Sequence, residues 1–303
     1  MKIIVAVSGG IDSVTLLDLL ARKKLKGFSH SRLATGNWQL TIAHFNHHIH
    51  PAADKHAAFV KKLAEKYSLD FFSEKAKKKL KSEAEAREAR YRFLRKTAKK
   101  VGADCIALAH HLDDQVETVL LNLIRGTGLL GLGGMGKYRD GLWRPLLNVP
   151  KEKLLNYAKR NRLKFVHDPT NRDWKYTRNF LRNKILPELQ KLNPRLEEAV
   201  LRVARAAKEN AEFTSLLADE WLRRFGKANA VPLTEFSSLP RVIRKTVLRE
   251  IYHQQVGNLL GIEEKHLEEV LDLAANPRGG KQKKFGQLIF KTGKRKGVRV
   301  LIW

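Results

Sequence analysis

Ser8-Gly9-Gly10-Ile11-Asp12-Ser13 brings two glycines, two hydroxyls and a carboxylate into six consecutive residues. Such a segment can cradle the anionic oxygens of a phosphate. Gly9 and Gly10 let backbone amides come close, Ser8 and Ser13 donate hydroxyl hydrogen bonds, and Asp12 can hold a metal ion that bridges phosphates. It is not a Walker A loop, because no Gly-Lys-Ser/Thr follows. A tight turn with Asp12 as a helix N-cap, worth about 1 kcal/mol, is the plainer alternative. The second cluster is His110-His111-Leu112-Asp113-Asp114-Gln115-Val116-Glu117-Thr118. On a helix, Asp114 and Glu117 share a face, so two carboxylates can converge on one cation. Acids in a first turn also complement the helix dipole by about 0.3–1 kcal/mol, and Asp-x-x-Glu can form a capping box. The glycine-dense run Arg125–Met135 that follows reads as a flexible active-site loop. Arg178 with Arg182, and Arg87 with Arg90, are spaced to share a helix face. Each pair can bracket a phosphate or a base, or simply solvate a surface.

These side chains need elements to position them. Ile3–Val7 is a mostly β-branched run that ends in the glycine segment, and an apolar-periodic helix follows from Asp12 through Leu20. Further strands are predicted near Leu40–Phe45, Asp70–Ser73 and Cys105–Ala109, with helices over about 52–67, 82–100 and 113–124. Alternating strands and helices predict an α/β fold with a parallel sheet covered on both faces. Ligands in such sheets bind beyond the carboxyl ends of the strands, where both clusters fall. A short helix (Lys151–Asn161) and a loop (His167–Asp173) lead to a long amphipathic helix from about Pro194 to Phe225, expected to link two domains. The remainder, about 226–303, is predicted to hold two helices and a terminal strand pair, Gln287–Lys291 and Val298–Ile302. The expected division is therefore a catalytic domain over 1–190, a linker helix over 191–225 and a small α+β domain over 226–303.

Composition narrows the partners. Among 303 residues, 59 Lys and Arg oppose 31 Asp and Glu, a net charge of +28 that exceeds what solubility requires and indicates a polyanionic partner. With 43% hydrophobic residues the chain can bury a real core, so disorder is not the default. No apolar run approaches the roughly 20 residues of a spanning helix, so no membrane partner is expected. The single cysteine, Cys105, excludes disulfides and Cys-ligated zinc or iron–sulfur sites within the chain. Met1–Val7 is too short for the apolar core of a signal peptide, and a reducing cytoplasm is the expected compartment. Asn276–Trp303 carries nine Lys or Arg and no acid, and Lys75–Lys81 holds five lysines; either could track an RNA backbone. The polar loop Lys24–Asn37 is expected to be mobile.

The hexapeptide at Ser8, in its strand–loop–helix context, resembles the PP-loop of N-type ATP pyrophosphatases, which have the adenine nucleotide α-hydrolase-like fold. A longer series of blocks resembles tRNA(Ile)-lysidine synthetase. It comprises Ser8–Ser13, His44-Phe45-Asn46-His47, Ser82–Tyr91, His110–Thr118, the Arg-Gly-Thr-Gly-Leu segment from Arg125, Arg144-Pro145-Leu146-Leu147, Asp168-Pro169-Thr170-Asn171 and Arg178-Asn179-x-x-Arg182. The blocks come in the family's order over roughly 1–190, and the long helix with its small basic domain looks like the family's shorter form. In one place the chain departs: His50-Pro51 stands where the family usually shows Arg, so that contact is expected to be weaker or supplied elsewhere.

The resemblance implies ATP-dependent adenylation of the wobble cytidine of an isoleucine tRNA with a CAU anticodon. Attack by the ε-amine of L-lysine then gives lysidine, AMP and pyrophosphate. It implies that Ser8 through Ser13, Ile11 included, hold the pyrophosphate half of ATP, and that Asp12 positions Mg²⁺. By the same carry-over Asp114 and Glu117 receive the lysine, His111 is a candidate base for its amine, and Arg87, Arg90, Arg178 and Arg182 bind substrate. A homodimer is a reasonable assembly. The alternatives are a cytidine thiolase, a chemistry that normally uses cysteine pairs, and a catalytically silent RNA-binding module, which leaves the intact loop and acid pair without a purpose. Amidotransferase-linked PP-loop enzymes account for an ATP loop but not for the positive charge.

Overall fold

A computed structural model describes residues 1–25, 38–47, 53–76, 82–166, 177–259, 261–276 and 281–303. His50-Pro51 and Asp168–Asn171 lie outside these residues, as do most of Lys24–Asn37 and of Lys75–Lys81. The chain divides into two compact units, Met1–Arg205 and Ala206–Trp303.

In the first unit the β-branched and aromatic runs become β1 (Lys2–Ala6), β2 (Gln39–Asn46), β3 (Asp70–Lys75) and β4 (Cys105–Ala107). The intervening periodic segments become α1 (Ile11–Ala21), α2 (Ala53–Lys66), α3 (Glu83–Val101) and α4 (Leu112–Ile124). A single helical turn, α5 (Leu129–Leu132), precedes a hairpin of two-residue strands, β5 (Tyr138–Arg139) and β6 (Leu142–Trp143). After these come α6 (Lys151–Arg160), α7 (Thr177–Phe180), a π-helical turn over Leu181–Ile185, α8 (Leu186–Leu192) and α9 (Leu196–Phe225). The sheet order is β3-β2-β1-β4-β6-β5, parallel except for β5 at the edge. The chain winds from β1 outward through β2 and β3, then returns to place β4 on the other side of β1. That reversal opens a crevice at the carboxyl ends of β1 and β4, where an open α/β sheet takes its ligand.

Each sheet face has its own core. Val14, Leu16, Leu17, Leu20, Val60, Leu63 and Leu154 from α1, α2 and α6 cover one face, and Phe93 and Leu94 of α3 cover the other. Ser13 through Leu20 of α1 are all buried, so this helix is enclosed on every side and carries a carboxylate inward with it. Asp18, 0% exposed, accepts from Arg22 Nε at 2.9 Å, from the Tyr157 hydroxyl at 2.7 Å and from the Tyr67 hydroxyl in a short bond. Arg22 is 41% exposed, so its charge contributes little. The two tyrosine hydroxyls are the larger stake. Asp18→Ala leaves both without their acceptor and is expected to cost about 2–3 kcal/mol, read as a lower urea midpoint at unchanged slope.

In the second unit, β7 (Ala230–Pro232), β8 (Gln282–Phe285), β9 (Leu288–Arg295) and β10 (Val298–Ile302) form an antiparallel sheet of order β7-β10-β9-β8. It packs with α10 (Leu233–Ser238), α11 (Arg241–Val256) and α12 (Glu264–Ala275) around Phe236, Tyr252, Phe285 and Phe290. Among the described residues after α9 there are three helices rather than two and four strands rather than one pair, and β9 runs on through Thr292-Gly293-Lys294-Arg295 instead of stopping at Lys291. The turn is only Lys296-Gly297, both at positive φ (46° and 82°), which is the two-residue hairpin geometry whose twist matches the flanking strands.

Candidate active site

The loop after β1 is tied by its own hydroxyls. Ser13 Oγ donates to the Gly10 carbonyl at 2.8 Å, Ser8 N donates to Ser13 Oγ at 3.2 Å, and Gly10 N donates to Ser8 Oγ at 3.3 Å. Gly9 sits at φ +96°, and a Cβ there would lie 2.8 Å from Val166 Cγ2, so both backbone and space require glycine. The N-cap of α1 is Gly10, not Asp12. Asp12 instead stands in the first helical turn, 29% exposed, with Oδ2 facing Lys151 Nζ at 3.4 Å and His111 Nε2 at 3.8 Å. Its Oδ1 is buried and has no hydrogen-bond partner among the described residues. A hard cation takes one or two carboxylates together with phosphate oxygens. An orphaned carboxylate oxygen beside a phosphate-type loop fits that demand. Among the described residues no group of three or more His, Cys, Asp or Glu is placed to hold a metal without such a co-ligand.

Across the crevice, His111 caps α4 in an extended conformation, and Asp114 Oδ2 accepts from the His111 backbone amide at 3.0 Å. Asp114 therefore serves the helix end as well as the site, while Glu117 one turn later takes no part in capping. Glu117 is 1% exposed and lies between two guanidinia: Arg178 Nε reaches Oε2 at 2.7 Å, and Arg182 Nε reaches Oε1 at 2.5 Å. Arg182 Nη2 and Arg178 Nη2 also approach Asp114 Oδ1 at 3.2 and 3.4 Å. The predicted cation pair and the predicted acid pair thus form one neutral quartet. Burial works against the charge of Asp114, but His111, Arg178 and His110 outweigh it and hold its pKa below the ordinary value. Burial likewise disfavours charge on Arg182, and the bond to Glu117 more than restores it.

His111 faces Asp12, Asp113 and Asp114. Burial disfavours its charged ring, yet the bond to Asp113 and the charges of Asp114 and Asp12 together raise its pKa above the ordinary histidine value. His110 is driven down to about 3 by burial and by Arg144, Arg90 and Arg87, against the pull of Asp114. An unfolded chain takes up that proton below about pH 6.5 and the folded chain refuses it until about pH 3, so His110 lowers stability as pH falls through this window. His110→Gln is expected to lose less stability than the parent between pH 6.5 and about pH 4, read by urea unfolding.

Three further participants come from tertiary structure. Lys151, the first residue of α6, donates its backbone amide to Asp113 Oδ1 at 3.1 Å and presents its ammonium to Asp12. Gln115 clamps the glycine-rich run by donating to the Met135 carbonyl at 3.1 Å and accepting from its amide at 2.8 Å, while Asn122 Nδ2 holds the Gly131 carbonyl at 2.7 Å. The segment expected to be a flexible loop is therefore pinned to α4 at two points and contains α5.

A family model for the PP-loop domain matches residues 1–189, and its class is the one that the parallel sheet and the loop after β1 define. The U34-tRNA thiolase NcsA of Methanococcus maripaludis shares this fold at a TM-score of 0.55 and 21% identity, over 69% of this chain and 72% of that one. A tRNA(Ile)-lysidine synthase of Francisella tularensis is 31% identical over 92% of this chain and 68% of its own length, and one from Thermotoga maritima is 37% identical over 82% of this chain. The chain belongs to the tRNA(Ile)-lysidine synthase family. It spans 61% of the length of the Thermotoga maritima relative.

Proposed function

We propose that the protein joins L-lysine to the wobble cytidine of an isoleucine tRNA with a CAU anticodon, using ATP and releasing AMP and pyrophosphate. The observation that carries this reading is the meeting, at one crevice, of a hydroxyl-tied glycine loop with an orphaned Asp12 oxygen and a buried acid pair, Asp114 and Glu117. In the first step the cytosine 2-oxygen attacks the α-phosphorus of ATP and the bond to pyrophosphate breaks. In the second, the ε-amine of lysine attacks the ring carbon, AMP departs with the oxygen, and the amine gives up its proton.

Ser8 to Ser13 would bind the pyrophosphate half through backbone amides, and Lys151 would leave Asp12 for the incoming phosphates. Asp12 and the phosphates would hold Mg²⁺, which supplies positive charge against the charge that develops on the leaving group. The acid pair would receive the lysine ammonium in place of a guanidinium, because two carboxylates neutralise only two cations. Once displaced, Arg178 or Arg182 is free to meet a phosphate. A cation arriving among the carboxylates around His111 also lowers that ring's pKa toward the neutral form, which can accept the amine proton. The small basic unit would contact the tRNA backbone. Sulfur transfer needs a reactive thiol, whereas the chain's single cysteine is buried in β4 with its pKa pushed up to about 11 by burial.

The test is incubation with ATP, labelled lysine and an unmodified CAU-anticodon tRNA transcript. Lysine incorporation with stoichiometric AMP supports the reading, and tRNA binding with all label left free refutes it.

A further inference from the structure

Arg178 and Arg182 grip one carboxylate through its two oxygens, Nε of the first on Oε2 of Glu117 at 2.7 Å and Nε of the second on Oε1 at 2.5 Å. The helical segment that carries them is irregular where this happens. Thr177–Phe180 is α-helical, Leu181–Ile185 is a π-helical turn, and the α-helix resumes over Leu186–Leu192. Across the turn the Leu186 amide donates to the Leu181 carbonyl, five residues back instead of four. Leu181 is buried and anchors the start of the wide turn. Pro187 accounts for the irregularity. Its nitrogen carries no hydrogen, and in an α-helix its ring would press on the carbonyl of Asn183, four residues earlier. Widening the preceding turn relieves that clash, and π-turns of this kind are rare and concentrate at functional sites.

The wide turn loosens the backbone at one residue. The Arg182 carbonyl has lost its α-helical donor, Leu186, to Leu181, and its π-helical donor would be Pro187, which has no amide hydrogen. In return the turn changes the direction of a side chain. At 3.6 residues per turn, side chains four apart are rotated by about 40° round an α-helix. A turn closed by a bond to the fifth residue back holds more residues, so each step rotates less, and the offset between Arg178 and Arg182 narrows. The narrower that offset, the better two guanidinia can share the two oxygens of one carboxylate. Both also turn Nη2 to Asp114 Oδ1, at 3.4 and 3.2 Å. We propose that Pro187, through the π-turn, is a positioning residue of the lysine pocket. It seats Arg182 on Glu117 beside Arg178, and it leaves the backbone under that seat loose enough for an arriving cation to displace the guanidinium.

The inference deepens the proposed function and rests on it only for the identity of that cation. The experiment compares the full chain with Pro187→Ala, Arg182→Gln and the double variant. Alanine restores the missing amide, and proline is the least favourable residue inside a helix, so the urea midpoint of Pro187→Ala is expected to stay at or above the parent's. The side-chain Nε–H signal of Arg182, identified by its loss in Arg182→Gln, is expected to exchange with solvent about tenfold faster in Pro187→Ala, with that of Arg178 within about twofold of the parent. L-Lysine, measured by calorimetry, is expected to bind about threefold more tightly and lysine transfer to run about tenfold slower, because the competing guanidinium is less firmly seated and less well aimed. In the Arg182→Gln background the same substitution is expected to change neither by more than about twofold, since no arginine is left to position. Unchanged Nε exchange in Pro187→Ala, or equal effects on lysine binding with and without Arg182, overturns the inference. A lower midpoint with parental exchange makes Pro187 merely structural and overturns it too. If the parent neither binds nor transfers lysine, the proposed function fails, and the Nε exchange still decides whether Pro187 seats Arg182.

Discussion

Asp12→Asn is expected to lower the rate of lysine transfer to tRNA by about a thousandfold while leaving the protein folded and able to bind RNA. Asparagine keeps the shape and removes the charge. Its effect on the fold is small because Asp12 does not cap α1, and its contacts to Lys151 and His111, at 3.4 and 3.8 Å, are long and partly exposed. Its effect on the reaction is large. Removing one preorganised electrostatic group from a site where charge develops costs about 2.7–4 kcal/mol, or roughly 10²–10³ in rate. Pyrophosphate release and thermal melting, measured on the same preparation, separate the two. A variant that melts like the parent and releases pyrophosphate at the parental rate places the metal on another residue.

The parts of this site that were legible in the sequence are the ones built from contiguous residues. A loop that must bring amides, hydroxyls and a carboxylate to one phosphate has to compress them into Ser8–Ser13, and an acid pair on one helix face has to recur at three-residue spacing, as Asp114 and Glu117 do. The sheet was legible for a related reason, since β1 to β4 alternate with long periodic helices. What the sequence hid was set by partners far along the chain. The spacing of Arg178 and Arg182 shows a shared face, but not that Glu117, more than sixty residues earlier, would occupy it. Lys151 carries no local signature, because it owes its place to where α6 starts, and the block that contains Arg144 shows nothing of its burial, which is set where β6 ends beside the edge strand β5. The β5–β6 hairpin and β7 are too short to show a period. Thr292-Gly293-Lys294-Arg295 reads as a polar turn, and only pairing with β10 makes it strand.

The pairing of acids with arginines predicts opposite results for neighbouring substitutions. Glu117→Gln removes one of the two charges proposed to face the lysine ammonium. Truncating one member of a buried, hydrogen-bonded charge pair costs about 2–5 kcal/mol, so the lysine requirement is expected to rise about a hundredfold. Arg182→Gln removes a competitor for the same carboxylates. Lysine has to displace a guanidinium whose Nε lies 2.5 Å from Glu117 Oε1, and without it the apparent KM for lysine is expected to fall about tenfold. The maximal rate is expected to fall about a hundredfold at the same time, because the arginine freed by lysine is the one available to a phosphate in the adenylation step. Steady-state kinetics in lysine at saturating ATP and tRNA distinguish this arrangement from a static one. If Arg182 merely braces the pocket, its loss disorders Glu117 and raises the KM together with the fall in rate, so a raised KM in Arg182→Gln refutes the displacement of arginine by lysine.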